Sequence, residues 1–278
     1  MSITSVGADV PLRHKCKGHV ITGASCGRLP GLVMRRFLRG IGWLLHERLA
    51  WRLRHLGPDI AASDLAIIRR VLPYTMTSVE RLLGLVDATR YLARAAVPGA
   101  IVECGVWRGG SMMAVAQTLV EIGITDRDLY LYDTFTGMPP ATKVDRDWRG
   151  ISAQLYAELH QTRQTWWCGA SSQEVMSNMM ETGYPAERIH LVPGLVEDTI
   201  PKQVPEEIAL LRLDTDWYES TQHELEHLYP RLSSGGVVIV DDYGYWQGAQ
   251  RAVDEYFRQR PVLLVRLDSA ARLLVKTP

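Results

Sequence analysis

From Gly99 onward the chain alternates short β-type apolar runs with segments of helical period, and this alternation restricts the fold to a parallel sheet covered on both faces. Five runs stand out: Ala100–Val106, Leu129–Phe135, Ile189–Val192, Ile208–Asp214 and Gly236–Asp241. Helices are predicted near 111–122, 172–181, 217–232 and 248–258. Two last runs, Val262–Leu267 and Arg272–Lys276, are joined by too few residues for a crossover, so they predict an antiparallel hairpin at one edge.

Upstream, residues 1–33 mix Gly, Pro, Ser and Thr without an apolar period and are expected to form a poorly ordered leader. Residues 34–97 are expected to form an N-terminal helical cap. In it, Phe37, Leu38, Ile41, Leu44 and Leu45 keep helical spacing beside Arg35, Arg36, Arg39, Arg48 and Arg52. This basic helix is expected to pack on the main domain or on a second copy of the chain, which makes it a candidate homo-oligomer contact. A second helix is predicted after a cap at Ser78, stopping before Pro98–Gly99. Residues 98–278 then form the main domain. Its long insertion at 137–170, with Trp148, Tyr156, Trp166 and Trp167, is expected to act as a substrate lid.

Charge narrows the partners. Lysine plus arginine (31) balances aspartate plus glutamate (31), so no global field draws the chain to nucleic acid or anionic lipid. No apolar run is long enough to span a membrane. Cys16, Cys26, Cys104 and Cys168 form no C-x-x-C pair, which predicts a reduced, cytoplasmic protein.

The segment Glu103-Cys104-Gly105-Val106-Trp107-Arg108-Gly109-Gly110-Ser111 falls where the first strand turns into a helix. Its glycines let a ligand approach the backbone, and the helix N-terminus attracts negative charge. The spacing is wrong for the G-x-G-x-x-G pyrophosphate cradle. An acid followed by a glycine and a wider loop suits a ligand with an amino-acid end and a cationic centre, with Glu103 facing the positive charge.

Three more strands end in acids: Asp133, then Asp214 with Asp216, then Asp241 with Asp242. In an open parallel sheet these positions share the carboxyl edge, where such folds bind ligands. Asp133 is placed to bond ribose hydroxyls. Asp214, Asp241 and Asp242 end neighbouring strands, and carboxylates so gathered repel one another unless a cation sits among them; all-oxygen ligands favour Mg²⁺, Ca²⁺ or Mn²⁺.

Competing explanations are available. Asp216 with Glu219 makes a D-x-x-E capping box for the next helix. His223-Glu224-Leu225-Glu226-His227 matches the H-E-x-x-H of zinc peptidases, but helical geometry turns both histidines away from the apolar face and predicts them exposed. Asp214-Thr215-Asp216 is also the D-x-D of metal-dependent glycosyltransferases, a reading that leaves Glu103 and Gly105 without a task. A non-catalytic binding module of the same fold is the remaining alternative, and the retained acids argue against it.

The strings VECGVWRGGSM, YDTFTGMP, VEDTIP, LLRLDTDWYEST and VVIVDDYG, in this order across about residues 70–276, resemble the macrocin O-methyltransferase (TylF-like) family. The resemblance implies an α/β, Rossmann-like methyltransferase domain with a seven-stranded sheet. It also implies an S-adenosylmethionine cofactor, Mg²⁺ dependence, and methylation of a sugar hydroxyl on a glycosylated natural product. Carried onto this chain, it places the cofactor on Glu103, Gly105 and Ser111 with Asp133 at the ribose, the metal on Asp214, Asp241 and Asp242, and the base on Asp216.

Overall fold

The computed structural model describes residues 57–160 and 169–277. The expected leader, the basic helix of 34–52 with its subunit contact, and Trp166 and Trp167 of the insertion lie outside the described residues. Pro58–Pro278 make one compact unit, so the described helices upstream of Gly99 pack with the sheet itself.

Seven strands run β1 (Ala100–Cys104), β2 (Leu129–Asp133), β3 (Ile189–Pro193), β4 (Ile208–Leu213), β5 (Leu232–Val240), β6 (Val265–Arg266) and β7 (Arg272–Val275). Their order is β3-β2-β1-β4-β5-β7-β6, with β1 to β5 parallel and β7 antiparallel to both its neighbours. This is the Rossmann-like sheet with an antiparallel edge. Strand β5 begins at Leu232, earlier than the sequence pattern suggests. Gly235 takes a φ of +80°, and the β4–β5 register shifts between Ile208 and Leu210, so Leu232 can still pair with Ile208. The edge strand β6 is shorter than predicted, and Leu263 before it is 79% exposed.

Eight helices are described: α1 (Ala62–Val71), α2 (Val79–Arg94), α3 (Gly110–Glu121), α4 (Ala153–His160), α5 (Ser172–Met180), α6 (Val196–Thr199), α7 (Tyr218–Leu228) and α8 (Gln247–Phe257). Helix α2 starts where predicted, because the Ser78 side chain accepts the Arg81 N–H at 3.2 Å. Helix α1 escapes the sequence reading because its buried face is only Ile67, Ile68 and Val71 beside Asp64, too short a stripe to show a period.

Period-two alternation sorts the strand residues onto two faces. Val102, Cys104, Leu211, Leu213, Val238 and Val240 form one core with Leu225 and Leu228 of α7 and Val253 and Phe257 of α8. The intervening Glu103 and Arg212 point the other way, beneath α2, which packs on β4 and β5. They are direct partners in the β1–β4 register. Both are buried, at 1% and 3% exposure.

Helix α2 is also stapled to the β6–β7 turn. Asp268 accepts from Ser78 Oγ at 2.8 Å, from Arg81 Nε at 2.7 Å, and from the N–H groups of Ala270 and Ala271. Burial alone would raise its pKa, but these four donors outweigh it and hold the carboxyl at about 2. A group whose folded pKa is depressed stabilises the fold above its unfolded value and loses that contribution as pH falls toward the folded one. Asp268→Asn is therefore expected to cost on the order of 2 kcal/mol at neutral pH. Urea melts of both proteins between pH ~4 and ~2 should show the difference shrinking toward zero; a constant difference would assign the loss to packing.

Candidate active site

A cavity of about 620 Å³ opens along the carboxyl edge of the sheet. Glu103, Gly105, Ser111, Asp133, Asp214, Asp216, Asp241 and Asp242 all line it, so these eight positions, drawn from four strand ends, reach one cleft. The insertion forms one wall through Met138, Pro139, Ala141 and Ala153, and Trp217, Tyr245 and Trp246 form an aromatic wall beside it. Trp217 and Trp246 meet edge to face at 5.1 Å, and Trp217 Nε1 donates to Pro139 O at 3.1 Å.

The turn after β1 is held from two sides. Gly105 has a φ of +84°, and a Cβ there would sit 2.0 Å from Asp214 O, so the cofactor-type turn and the acid-bearing end of β4 touch through bare backbone. Asp133 takes the N–H groups of Val106 and Trp107 on Oδ2 at 2.7 and 2.9 Å, and that of Phe135 on Oδ1 at 2.8 Å. Thr134 Oγ1 also lies 3.4 Å from Oδ1, so the carboxylate braces the turn through both oxygens. Ser111 lies in the first turn of α3, with Oγ 3.4 Å from Thr77 Oγ1. Trp107, Phe135 and Asp216 are non-glycine residues at positive φ, all at this edge of the sheet, where local strain is stored at a functional surface.

The acids divide in a way the sequence does not announce. One carboxylate oxygen from each of Asp214, Asp216 and Asp242 lies within 4.8 Å of the other two. Asp241 stands apart from this trio and faces guanidiniums instead: Oδ1 accepts from Arg212 at 2.6 Å and Oδ2 from Arg81. Arg212 also donates to Glu103 Oε1, to Asp214 Oδ2 at 2.7 Å and to Thr77 Oγ1 at 2.9 Å. Enclosure in the cleft raises the pKa of Asp214 and Asp242 well above the usual carboxylate range, and carries Asp216 to about 7. Burial likewise pushes Glu103 to about 7 despite the neighbouring Arg212. Glu103 Oε2 and Asp242 Oδ2 are buried with no hydrogen-bond partner among the described residues.

Several functional positions have no sequence motif. Arg212 is visible only as a charge interrupting the apolar run of β4. Asp145 of the insertion accepts the Tyr218 N–H at 2.9 Å and so caps α7, whose first residues carry no side-chain cap of their own; the capping box of Asp216 and Glu219 does not form. The H-E-x-x-H segment also reads differently in the structure. Both histidines are half-buried rather than exposed, because α7 lies against the segment carrying Ile200, whose carbonyl contacts His223 Nε2 at 3.0 Å. Glu224 is fully buried and accepts from Thr215 Oγ1 at 2.9 Å, steadying the turn between Asp214 and Asp216.

The chain matches the family model described as macrocin-O-methyltransferase (TylF) over residues 47–270. It belongs to this family. It is 35% identical over 183 residues to the demethyldecarbamoylnovobiocin O-methyltransferase of Streptomyces niveus, covering 66% of this chain and 67% of that one. It is equally identical, with the same coverage, to the 8-demethyl-8-(2,3-dimethoxy-alpha-L-rhamnosyl)-tetracenomycin-C 4'-O-methyltransferase of Streptomyces olivaceus. Among solved structures, the O-methyltransferase NovP superposes with a TM-score of 0.64 at 32% identity, covering 74% of this chain and 83% of that chain. This TylF family member is an O-methyltransferase, and its D-T-D segment belongs to a methyltransferase strand end. No helix among the described residues is long and apolar enough to cross a membrane.

The contact between the two turns of this TylF protein gives a direct test. Gly105→Ala would drive a methyl group into the Asp214 carbonyl and is expected to cost roughly 3 kcal/mol or more. Gly123→Ala, at similar φ but with nothing within 4 Å, should cost only about 1 kcal/mol. Chemical denaturation of the two variants measures the difference.

Proposed function

We propose that this TylF family member transfers a methyl group from S-adenosylmethionine to a sugar hydroxyl of a glycosylated small molecule, with a hard divalent cation such as Mg²⁺ among its acids. The observation that carries this reading is the placement, in one cavity, of the unpartnered Glu103 Oε2 beside the trio Asp214, Asp216 and Asp242. A buried carboxylate oxygen without a donor calls for a cationic group, and S-adenosylmethionine brings one with an apolar body that suits the cleft. The N-terminus of α3 with Ser111 suits the cofactor's carboxylate, and Asp133, an acid lining the cavity at the end of β2, suits its ribose hydroxyls.

The trio fits a metal on its own geometry. Hard cations take oxygen ligands at about 2.0–2.6 Å, which allows opposed oxygens to stand about 4–5 Å apart, and the present oxygens lie within 4.8 Å of one another. Asp214 and Asp242 would hold the ion, Asp242 with the buried oxygen that has no other partner. Asp241, which the family resemblance adds to the ligand set, stays with Arg212 and Arg81. When bound, the cation supplies a lowered pKa to a substrate hydroxyl, and the cofactor supplies an electrophilic methyl group. Asp216, on the turn leading to the aromatic wall, takes the hydroxyl proton, a task its place in the cleft beside Trp217 allows. Trp217, Trp246 and Tyr245 offer flat apolar faces against which a sugar ring can be oriented, and orientation is where most of the rate would arise. The rhamnosyl substrate in the name of the Streptomyces olivaceus relative supports a sugar acceptor.

Ligand and base separate in kinetics. Asp214→Asn should raise the Mg²⁺ concentration needed for turnover and be partly rescued by more of it. Asp216→Asn should keep cofactor affinity while kcat falls about 10²- to 10⁴-fold, with no rescue. Mg²⁺ titrations of turnover, with calorimetric titration of S-adenosylmethionine into each variant, measure both; equal rescue would make Asp216 a ligand.

A further inference from the structure

The acid that would meet the cofactor and one of the acids that would meet the metal share one buried side chain. Arg212 Nη1 serves Glu103 Oε1 and Asp214 Oδ2 together, while Nη2 serves Asp241 Oδ1 and Thr77 Oγ1. Arg212 is 3% exposed, sits opposite Glu103 in register, and donates to Thr77, just ahead of α2. Among the described residues lining the cavity, the other cation is Arg81, and it is spent on Asp241 and Asp268. We infer that Arg212 is a positioning residue that aims Glu103 and Asp214 into the two halves of the cleft, so that cofactor affinity and metal affinity rise and fall together on this one side chain.

The inference rests on the functional reading above, and charge alone opposes it, which makes the sign of the effect decisive. Removing a positive charge from a cleft that takes two cations would, by Coulomb's law, tighten both. Removing a bridge has the opposite result. Glu103 and Asp214, left without their shared donor, lose the bond that fixes their direction, and each stops presenting an aimed oxygen to its ligand. A planar fork is needed for the task, since one nitrogen cannot reach Glu103 and Asp214 on one side and Asp241 and Thr77 on the other.

The test uses the full chain and reads binding without turnover. Arg212→Lys and Arg212→Met are titrated calorimetrically with S-adenosylmethionine, and separately with Mn²⁺ by electron paramagnetic resonance, at a temperature well below each variant's melting point. Both dissociation constants are expected to rise about tenfold or more in both variants, the loss that a charge-assisted hydrogen bond predicts. A purely structural arginine would lower the melting temperature and leave both constants unchanged. Tighter or unchanged binding of either compound by Arg212→Met, or wild-type binding of both by Arg212→Lys, overturns the inference. Should the arginine variants fail to fold, Thr77→Val decides. It keeps the volume and removes one acceptor from the fork, so both constants should rise about threefold together, and unchanged constants overturn the inference. A wild-type chain that binds neither compound overturns the functional reading itself, and the inference with it.

Discussion

One guanidinium buried in the middle of a parallel sheet sets the conditions for everything at the carboxyl edge. An arginine in that place is tolerated only if carboxylates surround it, and breaking such a buried set leaves charges whose isolation costs about 3–5 kcal/mol. Arg212 meets the requirement with Glu103, Asp214 and Asp241, drawn from three adjacent strands. The β1–β4 register sets Glu103 opposite Arg212, Asp241 turns inward to it, and Thr77, just ahead of α2, accepts from it. The strands pack by hydrophobic burial, as in any doubly covered sheet, but their relative placement at the cleft is electrostatic.

Much of this was legible in the sequence. The alternation of apolar runs and helices fixes the layers, and acids at strand ends identify the binding edge, because a parallel sheet brings all its carboxyl ends to one side. What stayed hidden are the relations between side chains from different strands. Asp241 and Asp242 are adjacent in sequence and look like a pair, yet alternation sends the first beneath α2 and the second toward Asp214 and Asp216. Arg212 carries no motif, so its role depends on the register with β1. The sequence offers Asp216 with Glu219 as a possible cap of α7, whereas the bond comes from Asp145, seventy-three residues upstream of Tyr218. Glu224 resembled part of a metal motif because the pattern is short and cannot tell a cleft-lining helix from one pressed on the back of the sheet.

The chain belongs to the TylF family, and the ends of its central strands carry the buried charges that line the cleft. Another part of the cavity lining is of a different material: aromatic rings and apolar residues of the insertion, whose contacts are directional only loosely.

Asp145 belongs to the insertion, yet its Oδ1 receives the first N–H of α7, the helix that begins where the acid-bearing turn ends. Its other oxygen ties down Thr142 through N–H and hydroxyl at 2.7 Å each. The base of the insertion is thus tied to the helix that follows the acid turn, so a change at Asp145 would free the Tyr218 N–H and the Thr142 backbone in one stroke and be felt on both sides of the cleft.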